Sequence, residues 1–84
     1  GKCAVTGQDF RTMEEIHCHH KTPKEAGGGD EYGNLVLVLE PVHRLVHAKE
    51  ATAIARYSRL LNLDPKQLGI LNKLRCLAGL PEID

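Results

Sequence analysis

The sequence predicts a small α+β domain in which two short strands precede three helices. Three observations carry this expectation. An alternating run, MEEIHCHH, is separated by a glycine-rich loop from an apolar, β-branched run, NLVLVL; apolar residues recur at helical spacing through the second half of the chain; and 84 residues is one domain's worth of sequence. A chain this short buries a limited fraction of its surface, so a bound metal would help to hold it.

Each element has its own justification. Lys2 to Asp9 is short and punctuated by Thr6-Gly7, which reads as a loop or knuckle. Met13 to His20 is compatible with a strand because Ile16 and Cys18 alternate with His17 and His19, and this alternation turns Cys18 inward. Lys21 to Gly33, with Pro23, three consecutive glycines and Asp30, is a loop by composition. Asn34 to Leu39 has the length and β-branched content of a second strand. Pro41 suits the first turn of a helix, where its missing N–H has no partner to lose, and VHRLVHA continues it. Ile54, Tyr57, Leu60 and Leu61 mark the inner face of a second helix. A third is framed by Asp64 as N-cap, Pro65 at the first helical position and Gln67 completing a capping box. Its apolar stripe is Leu68, Leu71, Leu74 and Leu77, and Gly79 with Pro81 ends it. There is no internal repeat.

The charges cancel to a formal net charge of zero, so nothing in the bulk composition demands a polyanionic partner. Three widely spaced cysteines, Cys3, Cys18 and Cys76, do not read as a secreted disulfide framework, which favours a reducing, cytoplasmic setting. Cys18 and Cys76 read as small buried core residues, while Cys3-x-x-Thr6-Gly7 looks like half of a zinc knuckle without its second cysteine. No apolar run approaches a membrane span and no signal peptide is legible, so no membrane partner is expected. The first residue is glycine rather than methionine, which reads as an excised domain with a region preceding it.

The chemistry lies in the histidines. His17, His19 and His20 fall within four positions, and His43 and His47 are four apart on the first helix. That helical spacing puts two imidazoles on one face, roughly 5–6 Å apart at Cβ, so both can reach one cation. The order HRLVH lacks the glutamate after the first histidine that a zinc protease helix uses as general base, which disfavours a metalloprotease. In an extended chain His19 and His20 point to opposite sides, so one would bind metal and the other would be free to move protons. Three nitrogen ligands leave open positions for water or substrate. His17 stays outside this site, on a solvated face or supporting His19.

His19-His20, Asn34 fourteen positions after His20, His43 nine further on and His47 four after that resemble the HNH nuclease motif. The fold of that family is a ββα-metal (His-Me finger) core, two strands and a helix clamped round one ion. The resemblance implies one domain over residues 1–84, with the core at about 14–49 and a helical extension with two additional C-terminal helices at about 50–80. It implies that His19, His43 and His47 hold a divalent metal, that His20 is the general base activating the attacking water, and that Asn34 holds the loop and so orients His20. Magnesium or manganese would serve in function, with zinc or nickel also able to occupy the site. The enzyme implied is an HNH endonuclease hydrolysing phosphodiester bonds of DNA.

The words CAVTG, CHHK, GGGDEYGNLVLV, VHRLVHA and LNKLR are further similar to the C-terminal endonuclease domain of bacterial group II intron-encoded reverse transcriptase and maturase proteins. That similarity implies nicking of one strand of a double-stranded DNA target to prime reverse transcription, a cytoplasmic bacterial setting, and upstream domains and intron RNA that supply much of the DNA affinity. Relatives often carry two Cys-x-x-Cys pairs; here Thr6 and LEPV stand where cysteines would be, so a structural zinc is not expected. Lys21, Lys24, Arg44 and Lys49 lie near the motif as candidate nucleic-acid contacts, each also readable as a solvated charge. Two alternatives stand beside the leading reading: a zinc-clamped nucleic-acid-binding module without catalysis, and an HNH nuclease of a restriction, toxin or phage system.

Overall fold

The computed structural model describes residues 1–84 and shows a small α+β domain of two antiparallel strands and three helices. Strand β1 (Ile16–His20) pairs with β2 (Leu35–Leu39) so that His17 lies opposite Val38 and His19 opposite Val36. Helix α1 (Glu40–His47) follows β2 directly, then α2 (Ala51–Leu61) and α3 (Pro65–Leu77). The first strand is shorter than its apolar alternation suggests, because Met13–Glu15 forms a 3-10 turn. Asn34 likewise belongs to a turn, Tyr32–Asn34, and β2 starts one residue later.

Helix α1 is the centre of the fold and packs against both strands and both other helices. Its Val42, Leu45 and Val46 are fully covered and meet Val38 of β2, Leu71 and Leu74 of α3, and Cys3 and Val5 of the N-terminal knuckle. The knuckle is a small hairpin closed by a bridge between Lys2 and Asp9, with Gly7 at a positive φ of 76° at its bend. It docks on the free edge of β2: the Ala4 amide donates to the Leu37 carbonyl at 2.9 Å, and the Leu39 amide to Cys3 Sγ at 3.4 Å. The edge that would otherwise present unpaired groups is thereby covered.

Only 11 of the 84 residues are buried, so polar pins hold much of the structure. The capping box of α3 is formed in both directions, Gln67 N to Asp64 Oδ1 at 2.8 Å and Asp64 N to Gln67 Oε1 at 3.0 Å. Gln67 Nε2 also reaches the Thr6 carbonyl, tying α3 to the knuckle. Arg75 is fully covered, and its guanidinium donates to the carbonyls of Leu45 and Ala48 at 2.8 Å, closing the C-terminal end of α1. The Leu45 carbonyl otherwise receives only a 3.4 Å bond from the Ala48 amide, and the Ala48 carbonyl lies just past the helix, so a buried cation satisfies both and complements the helix dipole.

Three sequence expectations change here. Cys18 is exposed and Cys76 is exposed, whereas Cys3 is the cysteine in the core. The inner face of β1 carries His17 and His19 rather than Ile16 and Cys18, because α1 covers that face and presents imidazoles to it. Leu60 and Leu77 stand in solvent, while Ile54, Tyr57, Leu61 and Leu68 pack against the core as their helical spacing requires. No helix is long and apolar enough to cross a membrane.

Candidate metal centre

Two elements build the site. Strand β1 projects His19 toward α1, and one face of α1 projects His43 and His47 back toward it. One ring nitrogen from each of the three lies within 4.8 Å of the others, close enough to hold one metal ion. His47 Nε2 is 3.2 Å from His19 Nδ1, and the imidazoles meet edge to face with centroids 4.9–5.2 Å apart. Such crowding is unfavourable for three protonated rings.

The electrostatics follow from that crowding. Burial, reinforced by His47, His43 and His20, pulls the pKa of His19 down to about 4. Burial also lowers His43, with His47 and His17 adding to it, and lowers His47, where the Arg75 guanidinium contributes. All three are therefore neutral at physiological pH, the form in which imidazole donates a lone pair. His19 is 1% exposed, and its Nε2 is buried with no hydrogen-bond partner. A covered polar atom of that kind costs free energy unless something satisfies it. The donor set is all imidazole, which suits zinc, nickel, copper or iron; oxygen-rich sites are the usual hosts of magnesium.

His20 follows His19 on β1 and turns to the other side of the strand. Its Nε2 lies 2.8 Å from Asp30 Oδ1, and Lys24 Nζ is 3.2 Å from the same oxygen. Hydrogen bonds from His20 and Lys24 hold the Asp30 carboxyl below its usual range. Asp30 is a site residue that sequence reasoning missed; its position in the loop gave no sign that the chain would fold it onto His20. A shallow cavity of about 220 Å³ opens between His19, His20, Lys24, His43 and His47.

Asn34 pins the loop between the strands. Its side chain accepts from the Thr22 amide at 2.9 Å and donates to the carbonyls of Thr22 and Gly29 at 3.1 and 2.8 Å. Its side chain makes no hydrogen bond to His20; it fixes Gly29, and the next residue, Asp30, is the partner of His20. Gly28 makes the close approach possible, since a Cβ there would lie 1.8 Å from the Thr22 carbonyl oxygen.

The four basic candidates divide. Arg44 is engaged by Glu40 one turn earlier on α1 and Lys24 by Asp30, which leaves Lys21 and Lys49 without an acidic partner. His17, set aside on sequence grounds, lies against the cluster, its Nδ1 3.0 Å from His43 Nδ1. The Cys3 Sγ faces the Leu39 amide and the covered valines of the core. Burial raises the Cys3 thiol, but hydrogen bonds from the Thr6 side chain and from the backbone of Thr6, Leu39 and Val5 outweigh it and hold the pKa below the ordinary value.

In comparison with known proteins, no family model matches the chain, and no curated protein or solved structure matches it either.

Proposed function

We propose that the chain is a metal-dependent endonuclease domain of the HNH kind, with a ββα-metal core, that hydrolyses phosphodiester bonds of DNA. The observation that carries this reading is the joint placement of two histidine functions. His19, His43 and His47 converge as a neutral three-nitrogen ligand set, and the adjacent His20 stands apart from them, oriented by Asp30. A purely structural clamp has no use for a separately oriented histidine at its mouth.

The chain's own residues would act as follows. His19, His43 and His47 would hold one divalent ion; their imidazole nitrogens favour zinc or nickel over the magnesium or manganese that the family resemblance implies. When bound, the ion supplies Lewis-acid stabilisation of the charge that grows on the phosphate and the departing O3′. His20 donates its Nε2–H to Asp30, which leaves the Nδ1 lone pair to receive a proton from water. The water oxygen bonds to phosphorus, its proton passes to His20, and the bond from phosphorus to O3′ breaks; the departing O3′ takes a proton from solvent, leaving a 3′ hydroxyl and a 5′ phosphate. Asn34, through Gly29, keeps the loop that carries Asp30 in register, because a misplaced base loses rate steeply.

The setting that fits best is group II intron mobility, in which a nick in one strand of double-stranded target DNA primes reverse transcription. The support for it is the run of sequence words from CAVTG to LNKLR and a formal net charge of zero. A nicking domain without excess positive charge would draw its DNA affinity from linked reverse transcriptase and maturase domains and from intron RNA. Lys21 and Lys49 are then the free cations available to contact phosphate.

The test is nicking of supercoiled plasmid at low salt with magnesium, manganese or zinc, comparing the wild type with His20→Ala. Nicking by the wild type alone, with metal affinity retained in the variant, is the expected result. If wild type and variant nick equally, His20 is not the base. If neither nicks while both bind metal, the same comparison with the linked reverse transcriptase and maturase domains and intron RNA present decides, and continued inertness there makes the domain a clamp rather than a nuclease.

A further inference from the structure

We infer that His17 is a positioning residue for the metal centre: it accepts the Nδ1–H of His43 and thereby leaves the Nε2 lone pair of His43 to face the ion. The inference deepens the reading of His19, His43 and His47 as ligands and rests on it.

The argument begins with the strand. Residues 17 and 19 share one face of β1, opposite Val38 and Val36, and that face lies against α1. His43 therefore sits between two imidazoles from the same strand, with centroids 5.2 Å from His17 and 5.2 Å from His19. The two neighbours meet it differently. His19 belongs to the group whose nitrogens converge within 4.8 Å, and His17 does not. His17 instead places Nδ1 at 3.0 Å from His43 Nδ1, the distance of an N–H···N hydrogen bond.

A neutral imidazole has one N–H and one lone pair. Two Nδ1 atoms in contact cannot both be acceptors, so one of the rings carries its proton there. If His43 carries it, its remaining nitrogen, Nε2, has the lone pair a metal needs, and His17 takes the Nε2–H form with that N–H directed away from His43. The opposite assignment would put the N–H of His43 on the nitrogen that ligation requires. Metal-bound histidines commonly donate their other N–H to an acceptor that fixes tautomer and ring direction, and loss of such an acceptor typically weakens metal affinity by about 10–100-fold. Here the acceptor is a third kind of histidine in the cluster, neither ligand nor base.

The experiment titrates Co²⁺ and Zn²⁺ into the wild type, His17→Ala and His17→Gln by calorimetry, and records the Co²⁺ absorption bands of each. Metal-free unfolding midpoints report the fold of each variant separately. The expected result is an affinity about 10–100-fold weaker in His17→Ala, one ion per chain throughout, unchanged Co²⁺ bands, and recovery in His17→Gln, whose amide oxygen can accept the same N–H. In the metal-free wild type at mildly alkaline pH, ¹⁵N imidazole shifts should show His43 as the Nδ1–H tautomer, with a tautomer mixture in His17→Ala.

Affinity within about twofold of wild type in His17→Ala would overturn the inference, as would a dominant Nε2–H tautomer of His43. Co²⁺ bands that change as if a nitrogen ligand had been lost would make His17 a ligand and overturn it differently. A wild type that binds neither ion would remove the metal-centre reading itself, and the role of His17 with it.

Discussion

Replacing Arg75 by methionine removes the cation that closes the C-terminal end of α1 while keeping an unbranched stem. Four carbonyls lose a donor: Leu45, Ala48 and Pro81, each at 2.8 Å, and Val46 at 3.4 Å. Bonds from a charged donor contribute about 1.5–3 kcal/mol each, so three short ones would sum to roughly 4.5–9 kcal/mol if independent. Two effects reduce that sum: one side chain is ordered once for all of them, and the variant no longer desolvates a charge. Methionine offers these carbonyls no donor, however, and it leaves the negative end of the helix dipole buried and uncompensated. The net loss expected is about 3–5 kcal/mol, against a total of roughly 4–13 kcal/mol for a chain of this length. Arg75→Lys should fall between, since one ammonium cannot span the carbonyls of α1 and that of Pro81 together. Urea and thermal unfolding of the metal-free protein, followed by far-UV circular dichroism, reads the effect, and 3 kcal/mol corresponds to at least about 12 °C in Tm. A loss below about 1 kcal/mol in Arg75→Met would refute the reasoning, because it would mean that the carbonyls find other donors at no cost.

Further outcomes follow from the same geometry. His19 titrates at about 4 in the folded protein against 6.5 as its ordinary value, so the unfolded chain takes up the proton first. Stability of the metal-free protein is full above pH 6.5 and is lost as the pH falls from 6.5 toward 4, by up to about 1.4 kcal/mol per pH unit for each proton; His43 and His47, also lowered, add to the slope. Urea midpoints measured across that range test this, and a flat profile contradicts it. Asn34→Ala strands the Thr22 amide and the Thr22 and Gly29 carbonyls and should cost about 2–4 kcal/mol, with hydrogen exchange accelerating in the loop between the strands. Gly28→Ala should cost a similar amount, since its Cβ meets the Thr22 backbone and not a side chain that can move. Gly69→Ala, in α3 with nothing within 4 Å of the new Cβ, should instead stabilise by about 0.5–1 kcal/mol.

Local signals in the sequence carry local structure. Asp64, Pro65 and Gln67 specify the start of α3 through bonds that span three residues, and the structure forms both of them. The four-residue spacing of His43 and His47 fixes their common face as soon as the segment is helical, and the glycine-rich composition of residues 21–33 places the loop. The two-strand, three-helix order is legible for the same reason: each element's period is set by its own backbone geometry. What lay beyond the sequence depends on which surface another element covers. Alternation in β1 shows that Cys18 and His19 face apart but not which of them faces inward; with β2 apolar on both faces, α1 decides, and it covers the histidines. Nothing around Arg75 in the sequence marks it as buried before the end of α1 is brought over it, and Asp30 reads as a loop residue until Asn34 folds the loop onto His20. The sequence by itself determined the elements and the histidines that share a helical face. Tertiary packing alone decided which side of β1 is inside, and so which imidazoles meet, because burial belongs to pairs of surfaces and not to any one segment.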